Sequence, residues 1–136
     1  MALLSRRLLL LAGILVLLVP STAAEYCNFT DTCTEVELFY GDNLFAACKG
    51  PQGDYLQTYI SLNSLVGNDV GKLTCPGKAF YPSCDDLSLV DGHILKAKCL
   101  GEDWTFYDSS IDLNNCLKNS DGSLNSCNSD LSKATA

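Results

Sequence analysis

Displaced by 51 residues, the sequence falls on itself. Cys33 meets Cys84, and Cys48 meets Cys99. Leu38, Gly41, Leu44 and Ala46 meet Leu89, Gly92, Leu95 and Ala97. Ile60, Leu62 and Asn63 meet Ile111, Leu113 and Asn114, and Asn68, Gly71 and Leu73 meet Asn119, Gly122 and Leu124, all without a gap. Self-similarity at one fixed period marks copies of a single supersecondary unit. The copies are Glu25–Pro76 and Gly77–Cys127. What one copy folds into, the other must also adopt, so only pseudo-symmetric architectures remain.

Each copy reads as strands. Val36-Glu37-Leu38-Phe39-Tyr40 runs into a turn at Gly41-Asp42-Asn43 and back along Leu44-Phe45-Ala46-Ala47-Cys48. The second copy runs Leu87-Ser88-Leu89-Val90, turns at Asp91-Gly92, and returns along Ile94 to Cys99 with apolar and polar residues alternating. Glycine at the turn and a period of two are hairpin signals. Aromatic strands follow at Tyr55–Ile60 and Trp104–Tyr107. Leu62–Leu65 and Leu113–Cys116 are long enough for one 3₁₀ turn each. A turn and last strand close each copy around Gly71-Lys72-Leu73 and Gly122-Ser123-Leu124. The fold class is all-β.

Ahead of the repeats, Arg6 and Arg7 precede an apolar run from Leu8 to Val19, then Pro20 and small residues. This is the pattern of a secretory signal peptide over residues 1–24, and the run is too short to span a bilayer. Both arginines leave with it, so the mature chain sets seven lysines against sixteen carboxylates. Polyanion binding relies on cationic side chains, which argues against nucleic acid and against anionic membranes. In an exported chain, eight cysteines imply disulfides. Cys33 and Cys48 bracket one hairpin and Cys84 and Cys99 the other, so these pairs are the natural bridges, worth about 3 kcal/mol each. Cys27, Cys75, Cys116 and Cys127 admit three pairings, and the sequence leaves the choice open. There is no Cys-x-x-Cys pair and His93 is the single histidine, so no metal or cofactor is expected. Residues 128–136 are small and polar and read as a loose tail.

Ser110-Ile111-Asp112-Leu113-Asn114, continuing through Asn119-Ser120-Asp121-Gly122-Ser123-Leu124, resembles the cyanovirin-N homology family of lectins. Tyr59 to Asn63 and Asn68 to Leu73 repeat the motif more weakly, and Leu-x-Ala-x-Cys appears at Leu44–Cys48 and Leu95–Cys99. The resemblance implies strand exchange: each half takes a three-stranded sheet from one repeat and a hairpin from the other. It implies a hinge at Thr74–Lys78, which in this family permits a monomer or a domain-swapped dimer. It also implies glycan binding, typically of mannose-containing glycans, at two separated ends.

Carried over by position, the first site comprises Asn28, Asp31, Thr32, Lys49, Pro51, Asn119, Ser120 and Asp121. Carboxylates, amides and hydroxyls suit a sugar, whose hydroxyls both donate and accept. The second, weaker site draws on Gly67, Asn68, Asp69 and Val70, on Lys78, Ala79, Pro82 and Ser83, and on Leu100, Gly101, Glu102 and Trp104. Lys49 and Pro51 depart from the family's polar or acidic pattern, as do Val70, Ala79 and Pro82, so one working site is expected rather than two. Trp104 offers a face for stacking on a sugar, but an aromatic in a strand is by default a core residue. Asn68 and Asn119 equally suit the satisfaction of turn backbone. His93 reads as a surface turn residue. Asn28-Phe29-Thr30 is a glycosylation sequon inside the first site. The reading is thus a secreted, extracellular lectin with glycans or glycoproteins as partners and no enzymatic activity. The alternative is a secreted protein-interaction module that kept the scaffold and lost sugar binding.

Overall fold

The computed structural model describes residues 27–127, so the expected signal peptide and tail lie outside the described residues. Ten strands follow in order: β1 Cys33–Phe39, β2 Asn43–Lys49, β3 Tyr55–Ser61, β4 Gly67–Asp69, β5 Lys72–Thr74, β6 Cys84–Val90, β7 Ile94–Leu100, β8 Phe106–Asp112, β9 Leu117–Ser120 and β10 Ser123–Ser126. β1-β2-β3 and β6-β7-β8 are antiparallel sheets; β4-β5 and β9-β10 are two-stranded hairpins. Single 3₁₀ turns at Leu62–Ser64 and Leu113–Asn115 link each sheet to its hairpin, as the sequence predicts.

The hairpins cross over. β10 packs on β3 and β5 packs on β8, so each sheet is covered by the hairpin of the other repeat. Side-chain hydroxyls hold each crossing: Thr58 Oγ1 accepts from the Leu124 N–H at 3.1 Å, and its counterpart Ser109 Oγ accepts from the Leu73 N–H at 2.9 Å. The core is repeat-paired too. Leu44 and Leu95, Leu62 and Leu113, Val66 and Leu117, and Phe29 and Phe80 are all fully buried. Each contributes roughly 1.5–3 kcal/mol of transfer free energy, and Leu44 on β2 and Leu95 on β7 hold the same buried position in their strands.

The register corrects two details. Phe39 pairs with Asn43 and Val90 with Ile94, so the turns are Tyr40–Asp42 and Asp91–His93, one residue earlier and one longer than expected. Both first strands carry a bulge, after Thr34 and after Asp85. There Glu35 and Asp86 both sit at φ 54, in the left-handed region.

Cys33–Cys48 and Cys84–Cys99 are bridged, with Cα atoms 4.0 and 4.1 Å apart across directly paired strand positions. The open pairing resolves as Cys27–Cys127 and Cys75–Cys116. One ties the start of the described chain to its end; the other ties the hinge to the second 3₁₀ turn. The Cys75–Pro76 peptide in that hinge is cis. Among the described residues no helix is long and apolar enough to cross a membrane.

Candidate functional site

At one end of the fold three segments meet: residues 28–32, residues 49–51 and the β9-β10 turn. Asn119 assembles them. Its Nδ2 donates to Thr32 Oγ1 at 2.9 Å and to the Lys49 carbonyl at 3.0 Å, and its Oδ1 accepts from the Gly122 N–H at 2.7 Å. The Lys49 N–H donates in turn to the Thr32 carbonyl. Beneath the turn lies Leu56. A Cβ built on Gly122 or on Gly50 would press on the end of its side chain, and Gly122 at φ 98 holds a conformation that favours glycine, so the two loops close over Leu56 with glycine at both positions. Around this frame Asn28, Asp31, Lys49, Pro51 and Asp121 are exposed. Lys49 Nζ lies over the Tyr55 ring, 5.7 Å from its centroid. Asp121 occupies φ 50 beside Gly122 at φ 98, the paired left-handed geometry of a type I′ hairpin turn, which Asp tolerates.

The opposite end repeats the frame. Asn68 Nδ2 donates to Ser83 Oγ at 2.9 Å and to the Leu100 carbonyl at 3.0 Å, and Asn68 Oδ1 accepts from the Gly71 N–H at 2.7 Å. Tyr107 replaces Leu56 under Gly71 and Gly101. Gly67 and Gly77 pack backbone to backbone, which places Lys78 and Ala79 beside β4. The loop after β7 is braced twice: the Gly101 N–H donates to the Thr105 carbonyl, and the Trp104 N–H to the Gly101 carbonyl. The Tyr107 hydroxyl donates to Asp103 Oδ2 at 2.7 Å. That bond holds the Asp103 carboxyl below the usual carboxylate range and raises the Tyr107 hydroxyl above the usual tyrosine value.

Two residues at this end break the rules for their positions. Trp104 sits at φ 63 where the first repeat has Gly53 at φ 89, and its side chain is 82% exposed. It lies in the loop before β8 and not in a strand, which overturns the default core reading. Val70 occupies φ 41 where the second repeat has Asp121, and it is 60% exposed. A β-branched residue at positive φ is a true outlier. Neither side chain is buried deeply enough for packing to offset its strained backbone.

A family model described as CVNH domain matches residues 29–92 and again residues 80–135. The chain belongs to the CVNH family. Among solved structures it resembles microvirin, seen in a mannobiose complex, at 28% identity and TM-score 0.62, covering 73% of this chain and 97% of that one. It resembles a Gibberella zeae CVNH protein at 26% identity and TM-score 0.65, covering 74% and 97%. A MoCVNH3 variant, in complex with (N-GlcNAc)4, shares the fold at 21% identity and TM-score 0.70, covering 76% and 99%.

Set in the CVNH frame, every first-site residue expected from sequence lies on one of the three segments at the first end. Asn68, Asp69, Lys78, Ser83, Glu102 and Trp104 all lie on the segments at the second. Asn68 and Asn119 are spent on holding loops together, so their part is architectural. Asp103 and Tyr107 were not singled out by sequence. The signal for Tyr107 was its pairing with Leu56 between the two glycine pairs; Asp103 carries no repeat signal. His93 sits in its turn, with Nδ1 2.8 Å from Asp112 Oδ1.

Proposed function

We propose that this chain is an exported lectin that binds mannose-containing glycans through its polar end loops. The observation that carries the reading is the asparagine frame, which draws three separate polar segments to one point at each end. Converging segments present several donors and acceptors at once, as a pyranose with vicinal hydroxyls requires. Membership of the CVNH family supports glycan binding, and the likeness to microvirin supports the mannose class. The ends differ. At the first, the Asp121 carboxylate offers charge-assisted acceptance from hydroxyls; at the second, exposed Trp104 and Val70 offer an apolar face. Asn28 is exposed at the rim of the first end, so a glycan attached there would cover it. Cys75–Cys116 pins the hinge, which favours the monomer over a swapped dimer. The reading is one of binding; all eight cysteines are in disulfides, so none supplies a thiolate nucleophile.

A glycan array on the unmodified protein, followed by calorimetry with α-mannobiose, tests the reading. Asp121→Asn keeps the left-handed turn and removes the charge, so it should abolish binding at the first end without unfolding. Absence of binding to any mannose-containing glycan would sink the proposal. It would favour a protein-interaction module, to which one observation already points. The outer face of the first sheet carries Phe39, Phe45 and Tyr59, with Phe39 6.3 and 6.1 Å from the other two rings, whereas the second sheet has Val90, Lys96 and Ser110 there.

A further inference from the structure

A groove among the described residues is lined by neither late turn. It has a volume of about 540 Å³ and runs between the end of β1 with its turn and the start of β6. Phe39 and Tyr40 form one wall; Tyr81, Asp85, Asp86 and Leu87 form the other. Tyr81 is laid across Gly41, where an added Cβ would press on the tyrosine hydroxyl. The Tyr81 N–H donates to Asn63 Oδ1 at 2.9 Å, which fixes the base of that side chain. A groove of this size accommodates a small ligand.

Tyr40 supplies an independent observation. It sits at φ 47, where the second repeat uses Asp91 at φ 55. Aspartate visits the left-handed region readily and a bulky aromatic does not. Yet the Tyr40 ring is 87% exposed; its contact with Phe39, at 5.2 Å, leaves most of it in solvent. Strain held by an exposed side chain points to a task outside the chain's own packing. The groove also breaks the pseudo-symmetry. A shift of 51 residues carries Phe39 and Tyr40 to Val90 and Asp91, and relates Tyr81, Asp85 and Asp86 to Thr30, Thr34 and Glu35. The symmetry-related position therefore has no aromatic ring on either wall.

We infer that this groove is a third saccharide site, built between β1 and β6 and specific for an uncharged pyranose; the inference rests on the lectin reading above. The tyrosine rings give flat apolar surfaces for the C–H face of the sugar. The Asp85 and Asp86 carboxylates accept from hydroxyls on its edge. No lysine or arginine lines the groove, so a sulfated or sialylated sugar is repelled.

The test is a titration of the 15N-labelled protein with α-mannobiose and, separately, with an N-acetylglucosamine tetramer, read at backbone amides. One of them should move Gly41, Tyr81 and Asp86 along a saturation curve distinct from that of Asp121 or Trp104. Tyr40→Asn with Asp86→Asn preserves both left-handed backbones while removing the ring and the charge. That variant should weaken the groove response by about tenfold and leave the end-loop responses in place. End-loop amides that saturate while the groove stays silent overturn the inference and leave the lectin reading standing. Silence at all three places overturns both. A groove that answers a lysine-rich peptide and neither sugar also overturns it, in favour of a cationic protein segment.

Discussion

Replacing Trp104 with glycine should make the protein more stable while weakening its second end as a binder. The left-handed conformation at φ 63 costs an L-residue with a side chain roughly 1–2 kcal/mol. Glycine escapes that cost but loses roughly 0.5–1 kcal/mol through the freedom of the unfolded chain. With the ring 82% exposed, little packing is forfeited, and the Trp104 N–H bond to the Gly101 carbonyl belongs to the backbone and survives. Gly53, the repeat counterpart at φ 89 with open space around it, shows that the loop accepts glycine. The net expectation is a gain of about 0.5–1 kcal/mol, or a rise in Tm of about 2–8 °C for a domain of this size. Urea denaturation followed by far-ultraviolet circular dichroism measures it, since the substitution removes the chain's single tryptophan. A loss of more than about 1 kcal/mol would refute the reasoning, because the ring would then be packed rather than presented. So would unchanged sugar binding at the second end.

Three more expectations follow from the same physics. Val70→Asn should raise stability by about 1 kcal/mol, because asparagine tolerates φ 41 and a β-branched side chain does not; a thermal melt that falls or stays level contradicts this. Replacing Cys27 and Cys127 with serine opens a separation of 100 residues and should cost about 4.7 kcal/mol, against about 3 kcal/mol for Cys33 and Cys48, whose separation is 15; denaturant midpoints in the reverse order would contradict the loop-entropy account. The Asp103–Tyr107 bond needs an ionised acceptor and a protonated donor. Asp103 is shifted down, so the bond holds above the ordinary carboxylate pKa and is lost as pH falls through the lowered value. Tyr107 is shifted up, so it is lost at the other extreme only as pH rises through the raised tyrosine value. Fluorescence of Trp104 should change at both edges, and Asp103→Asn should abolish the acidic transition.

The repeat, the β1-β2 and β6-β7 hairpins with their disulfides, and the 3₁₀ turns at Leu62–Ser64 and Leu113–Asn115 were legible because each rests on spacing within one unit, whereas the 3₁₀ turns at Phe29–Asp31 and Tyr81–Ser83 carry no such signal. Cys27, Cys75, Cys116 and Cys127 were not, since their pairing depends on where separate segments end up in space. Strand exchange came only with the family resemblance; nothing local in β5 or β10 says which sheet it will cover. Trp104 was misread as core because strand patterning does not register the sign of φ. Its alignment with Gly53 held that information, as a large residue standing where the partner repeat needs glycine. The loops of both ends were found by position, but the tethering role of Asn68 and Asn119 was one of two readings until their three hydrogen bonds each were located.

The exchange of hairpins bears on what half of this molecule is worth. A lone unit would have a three-stranded sheet whose buried face lacks its cover, and a hairpin with nothing to lie on. Leu73 and Leu124, now 3% and 6% exposed, would both meet water in a severed chain. Such a fragment regains a closed interior only by trading hairpins with a twin. Joining both copies in one chain makes that trade intramolecular, so the closed interior no longer depends on concentration.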